Sequence, residues 1–520
     1  MSAFLDRLRQ RLWPASRYRI ARWIVPRGLA VIYLIAFLSW WVQKDGLCGG
    51  DGILPTSRLM ENIHAFETRE NISLLSHYPS IFWFGYSDAL ATALCAAGVL
   101  LALLVLAGIW QGPLLLLLWA GYLSIVSTAD VFMGYQWDAL LLEAGFLSLF
   151  LAPWRWRSRA TLRDTSDPPR FAVWLLQFLL FRLMILSGWV KWAGGDAVWR
   201  DMTALRYHFA TQPLPNGLSA WMNALPPSLL DAGCWGMYAV ELLLPWGLFF
   251  GRWSRAVAAA GCIGLMSLIF VTGNYNFFNL LTIVLAFTFL DDTQWPQALR
   301  RRLVDQAPPP RAIWRTVMGW TTAACLTALS LVAADSFLAA RTPGWQRLTS
   351  PTWAQKCLSP IQGFRSINAY GLFQDMTEER PEIVLEVSDD GILWLPLEFR
   401  WKPGDPDRSP GWVAPHQPRL DWQMWFAALY PSFDPQPDMQ PQSPLFWFGQ
   451  FLAALLNHRE DVWSQMEEPP FPRNEIRHIR ARLYRYTLNT PTEARTSGRV
   501  WSRQFIRPFS PTFSVTPHVN

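Results

Sequence analysis

Lysine is scarce in this chain: of 45 basic residues only Lys44, Lys191, Lys356 and Lys402 are not arginine. Charge of either sign is also thin, at 16% of residues against roughly 25% in soluble globular proteins. That shortfall excludes the string of soluble domains that 520 residues would suggest by length alone. Cysteine is sparse too. Cys48, Cys95, Cys234, Cys262, Cys325 and Cys357 form no CxxC pair or Cys/His cluster, and HExxH is absent. A metal or thiol-redox site therefore has no support, and no cofactor is expected. The net charge of +6 is spread over separate short segments, which excludes the single basic patch of a nucleic-acid partner.

What is abundant is apolar. Hydrophobic residues make up 51% of the chain, with 31 Trp and 32 Phe, clumped into long blocks that only a bilayer makes cheap. The expected class is a polytopic α-helical membrane protein of about nine spans, each near the roughly 17–25 residues a crossing helix needs. They fall at 25–43, 88–110, 113–129, 138–153, 171–190, 233–250, 255–272, 277–290 and 312–334. The fourth and eighth are short enough to be tilted or partly re-entrant. A basic N-terminal segment over 1–24 includes Arg7, Arg9, Arg11, Arg17, Arg19 and Arg22, and lacks a secretory cleavage pattern, so no processing is expected. Counted inward from a cytoplasmic N-terminus, Arg155, Arg157, Arg159, Arg163, Arg170, Arg252, Arg255, Arg300–Arg302 and Arg311 all fall on inner loops. Basic excess marks the cytoplasmic side, which predicts an N-in, C-out topology with the multi-span part over 25–335.

From 343 to 520 the pattern changes to an outward-facing α+β domain, periplasmic or lumenal. Glu382–Ser388 and Leu393–Trp401 alternate as strands across an Asp389-Asp390-Gly391 hairpin signal. Leu420–Tyr430 and Leu445–Asn457 read as helices, Pro435–Ser443 as a proline-rich loop, and Ile476–Leu488 and Arg499–Phe505 as further strands. Only Cys48 and Cys357 fall on the outer side, where a bridge is chemically permitted; two lone thiols so far apart more often stay unpaired. There are no internal repeats, and neither inverted halves nor matching broken helices, which leaves a transporter without support.

Three polar stretches interrupt the apolar background. In Tyr135–Gly145, Asp138 and Glu143 lie five apart in a helix, where a mid-bilayer carboxylate costs at least about 2.5 kcal/mol and seeks a partner or wet cavity. The plain structural reading puts Asp138 at the interface and pairs Glu143 with Arg182. The functional reading makes Glu143 part of a cavity. The second stretch, Ser187–Asn216, packs Lys191, Asp196, Asp201, Tyr207, His208, Gln212 and Asn216 at one membrane face, a density that suits a binding pocket. Lys191 either snorkels at its helix end or, if desolvated, serves as a base with His208 and Glu143 beside it. The third, Thr272–Asn279, places Asn274, Tyr275, Asn276 and Asn279 in a turn, where amides cap helix ends or floor a pocket.

These motifs, in order, resemble the lipase maturation factor family. The resemblance runs from about Gln136 to Phe509. It is carried by Trp137–Gly145, Trp199-Arg-Asp201, Tyr207-His208, Thr211-Gln-Pro213 and Gly273–Asn279. In the C-terminal part it is carried by Ile367-Asn-Ala-Tyr-Gly371 with Asn368, Glu379-Arg380, Lys402–Pro406, Arg419-Leu-Asp421-Trp422 and Leu483–Tyr486. It implies a membrane-held factor that brings secreted lipases to their active fold, with membrane lipids and an exported, lipase-like client as partners and the outer domain as client-binding part. Animal members reside in the endoplasmic reticulum; this compact, arginine-heavy chain points to a bacterial inner membrane. Val198, Ala204 and Gly411 stand where animal members carry cysteines nearby, which speaks against a redox role. A shorter likeness, Ser187-Gly-Trp-Val-Lys-Trp192, is similar to the vitamin K-dependent carboxylase-like membrane domain. It implies the alternative of a quinone- or lipid-dependent enzyme with Lys191 as base.

Overall fold

The computed structural model describes residues 17–155, 161–163, 165–303 and 312–515. The N-terminal arginines up to Arg11, together with Arg157, Arg159 and Arg311, lie outside them. Among the described residues six helices are long and apolar enough to cross a membrane: α1 (Arg19–Trp41), α2 (Asp88–Leu106), α3 (Gln111–Thr128), α5 (Arg170–Ala193), α7 (Arg252–Thr272) and α9 (Ile313–Arg341). Between them lie α4 (Gln136–Leu151), α6 (Pro227–Tyr238) and α8 (Phe278–Ala286). Their arrangement follows enclosure. The most apolar window of α5 is 72% enclosed by protein, whereas those of α2 and α7 are 28% enclosed, so α5 is central and the others present side chains to lipid.

Six helices qualify by length and composition where nine spans are expected. α4 has 16 residues and α8 has 9, continued by one 3-10 turn at Phe287–Phe289. α6 breaks into a π turn at Ala239–Leu243 and a 3-10 turn at Leu244–Phe249, because Pro245 withholds a backbone donor. Each of the nine apolar stretches holds helical residues, but hydropathy does not give the length of the helix that each one forms. The π turn has a visible consequence, since it turns Glu241 inward towards α5.

The C-terminal region is built on a five-stranded antiparallel sheet: β1 (Arg380–Ser388), β2 (Leu395–Leu397), β3 (His478–Leu488), β4 (Trp501–Pro508) and β5 (Phe513–Ser514). The order is β2-β1-β3-β4, with β5 beside the start of β3. The Leu393–Trp401 strand expected from alternation shrinks to β2, and a bulge interrupts the β3–β4 register at Leu483/Tyr484. Ile383, Leu385, Ile479, Ala481 and Leu483 face a helical layer of α11 (Arg419–Ala427) and α12 (Phe446–Leu456); α10 (Pro351–Gln362) links the last crossing helix to this region. Strand residues of even parity beyond the bulge, Tyr486 and Leu488, bury on the opposite side with Val384 and Trp501, against Ala210 and Ala220 of the helical half.

One apolar core therefore runs through both halves. Trp422 of α11 lies with its ring 5.0 Å from that of Trp137 and 6.1 Å from that of Tyr275, and Phe132 meets Trp447 at 6.1 Å. Each such buried side chain contributes about 1.5–3 kcal/mol, so the junction is held as firmly as a domain interior. Cys48 and Cys357 are both free thiols, the first buried and the second half-buried.

Candidate functional site

The polar residues singled out above gather mostly along this junction. Asp138 lies in the first turn of α4 and is fully buried. Its carboxylate accepts both guanidinium nitrogens of Arg419, at 2.6 and 2.8 Å, and the Tyr122 hydroxyl at 2.5 Å. Arg419 also donates to the Phe132 carbonyl at 2.8 Å, and its backbone N–H donates to Gln43 at 2.8 Å. A planar fork suits this bidentate contact, which a lysine would not reproduce. Two residues on, Asp421 accepts the N–H groups of Trp401 and Lys402, each at 2.9 Å, so one turn of α11 is tied to the membrane helices and to its own domain at once.

One turn and a half further along α4, Glu143 pairs with Arg182 of α5, as the plain structural reading expected. The pair is not alone. Glu143 accepts the Asn368 N–H at 3.0 Å, its amide at 3.1 Å and the Tyr370 hydroxyl at 2.6 Å, while Arg182 donates to the Asn368 carbonyl. Gln136 closes the strip with two bonds to the backbone of Gly371. The Ile367–Gly371 motif is thus a clamp across a buried ion pair.

Lys191 donates to both carboxylate oxygens of Glu241, at 2.7 and 2.9 Å, and lies over the Trp199 ring. His208, half-buried, stands 3.3 Å from the Tyr275 hydroxyl through Nε2. Burial, with the nearby Lys191 charge, lowers its pKa to about 4, so the ring is neutral at physiological pH. Gln212 donates to Ser219 and to the Thr272 carbonyl, and Asn216 donates to the Val271 carbonyl. A side chain on Gly273 would collide with Gln212 and the Tyr275 ring, so the turn is closed around them. Asn274 donates to the carbonyls of Pro215 and Gly411 and accepts from Val413 and Ala414; Asn276 donates to Gln417. Arg380 donates to the carbonyls of Ala210, Gln212 and Pro213 and pairs with Glu382, which Lys402 also meets at 2.8 Å.

Asp201 is exposed, Tyr207 half-buried, and neither joins this network through its side chain. Asn279 is fully buried on α8, its amide 3.6 Å from the Met266 sulfur. Lys191, His208, Glu143 and Asn274 each have separate partners. None of them lines the cavities of about 620, 550 and 440 Å³ on the molecule's surface. Ser39, Gln43, Gln136 and Gln417 escaped the sequence reading. An amide at a span end carries no local signal of a partner hundreds of residues away, as in the 2.7 Å bond from Gln43 to the Gln417 carbonyl.

Two family patterns match the chain. The lipase maturation factor transmembrane domain pattern matches residues 20–297, and the lipase maturation factor C-terminal domain pattern matches residues 366–511. The human lipase maturation factor 2 is 32% identical over 96% of this chain and 83% of its own length. The chicken lipase maturation factor 2 is 32% identical over 94% of this chain, and the mouse lipase maturation factor 1 is 29% identical over 95% of this chain and 87% of its own. No solved structure matches. An integral membrane protein whose buried charges bind its helices to a C-terminal sheet is the class the fold defines, and the chain belongs to the lipase maturation factor family.

Proposed function

We propose that this protein is a membrane-held maturation factor for exported lipases or similar clients, and that the C-terminal region, across the membrane from a cytoplasmic N-terminus, receives the client. The names of its relatives support the maturation role. The observation that carries client binding is β4. It is the edge of the sheet, eight residues long, and every residue after Trp501 up to Pro508 is exposed. Phe505 and Ile506 stand 41% and 40% exposed on it, the second at the bulge. An open edge offers main-chain donors and acceptors to an extended segment of an unfinished chain, with apolar side chains beside them. Arg503 and Arg507 on the same strand keep that edge from pairing with a second copy.

The test is deletion of the protein followed by measurement of secreted lipase activity relative to lipase antigen, with rescue by wild type or by Phe505→Ser/Ile506→Lys. Wild type restores the ratio; the variant is expected to reach the membrane in normal amount and to fail in rescue. Full rescue by the variant sinks the edge-strand reading, and an unchanged ratio on deletion sinks the maturation role. A Lys191 base has no comparable support. Its amine is committed to both oxygens of Glu241 and lies over the Trp199 ring rather than facing any of the three surface cavities.

A further inference from the structure

The cavity of about 620 Å³ lies where α4 begins, α9 ends and α10 crosses over them. Its lining contains Arg347 and Arg365 and no acidic residue. Both side chains are exposed, and among the described residues neither guanidinium has a carboxylate in ion-pair range or a hydrogen-bond acceptor, whereas Arg182, Arg380 and Arg419 of the junction are engaged. Ser336 and Tyr135 also line it, but their hydroxyl oxygens are enclosed by protein, so the polar groups open to the cavity are the two guanidinium groups and not these. Two cations without a countercharge on a wall that has no acid suit an anionic ligand that accepts hydrogen bonds from a guanidinium fork. The lower wall is apolar, from Ala139 of α4 and Ala333 of α9.

Position narrows the ligand. α9 is one of the crossing helices, and the loop that follows it is pinned by Asp335, which accepts from Trp345, Leu348 and Thr349. Leu348 and Trp353 stand 83% and 52% exposed just beyond, as residues do that sit among lipid headgroups. We propose that this cavity binds an anionic membrane phospholipid, its phosphate held by Arg347 and Arg365 and the start of an acyl chain against Ala139 and Ala333. The chemistry shared with free phosphate is a tetrahedral anion; the apolar wall is what adds the lipid.

Native mass spectrometry of the full chain in detergent, titrated with phosphatidylglycerol, phosphatidylcholine or inorganic phosphate, tests this. Phosphatidylglycerol is expected to bind about tenfold more tightly than phosphatidylcholine, and Arg347→Gln/Arg365→Gln to abolish the difference. Ala333→Phe, which fills the apolar wall and leaves both charges, is expected to release the lipid as well; it serves if the double variant fails to fold. Equal binding of the two lipids, or a phosphatidylglycerol preference intact in a folded variant, overturns the proposal. Saturation by inorganic phosphate with no gain from the lipid overturns the lipid assignment.

Discussion

At the scale of single residues, the junction stakes stability on charges that are safe only in pairs. Removing one member of a buried ion pair leaves the other uncompensated and costs about 3–5 kcal/mol, whereas replacing both by apolar groups of similar size is often close to neutral. Asp138→Leu is therefore expected to lower the thermal midpoint sharply, and Asp138→Leu/Arg419→Met to recover most of the loss, as read by a melt in detergent. The histidines predict a pH dependence. Burial, with the nearby Arg419 charge, lowers the pKa of His416 to about 4, as burial does for His208. Unfolding returns both to about 6.5, so between about pH 6.5 and 4 the unfolded chain binds more protons and stability falls as pH falls. His208→Gln/His416→Gln is expected to flatten that limb of a melting-point-against-pH curve; an unchanged slope would place the acid sensitivity elsewhere. The ion pairs also mark what a sequence can tell. Glu143 and Arg182, both within apolar helices, could be matched by the cost of leaving either alone. Asp138 could not be matched, because Arg419 lies in a polar segment where an arginine needs no special partner.

Elements show the same boundary between what is legible and what is not. Alternation and proline placement located β1, β3, α11 and α12 to within a few residues, since each buries a face with its own period. Alternation over Leu393–Trp401 overstated β2, because only Leu395–Leu397 finds β1 to pair with. The π turn at Ala239–Leu243 was invisible, and with it the meeting of Glu241 and Lys191. That meeting permits a direct test at this scale. If the pair is structural, Lys191→Met/Glu241→Leu keeps lipase maturation while Lys191→Met alone loses protein from the membrane. If the amine does chemistry, both variants lose maturation equally.

For the whole molecule, a shared core means that neither half is a finished object. The C-terminal half expressed alone, from residue 343, is expected to be degraded or to aggregate, because Trp422, Arg380 and Arg419 lose their surroundings. Supplied in the same cell as a separate chain ending at residue 342, the two halves are expected to co-purify. Their failure to associate would show that the junction is weaker than its burial indicates. The pairing of Asp138 with Arg419 also has a meaning in time. A ribosome makes Asp138 281 residues before Arg419, a gap of roughly 14–56 s at about 5–20 residues per second. Through that interval the insertion machinery handles a helix whose acid has no countercharge, and the last-made part of the chain neutralises the first. A message cut short thus yields a protein that carries, in an acid without its arginine, a chemical mark of its own incompleteness.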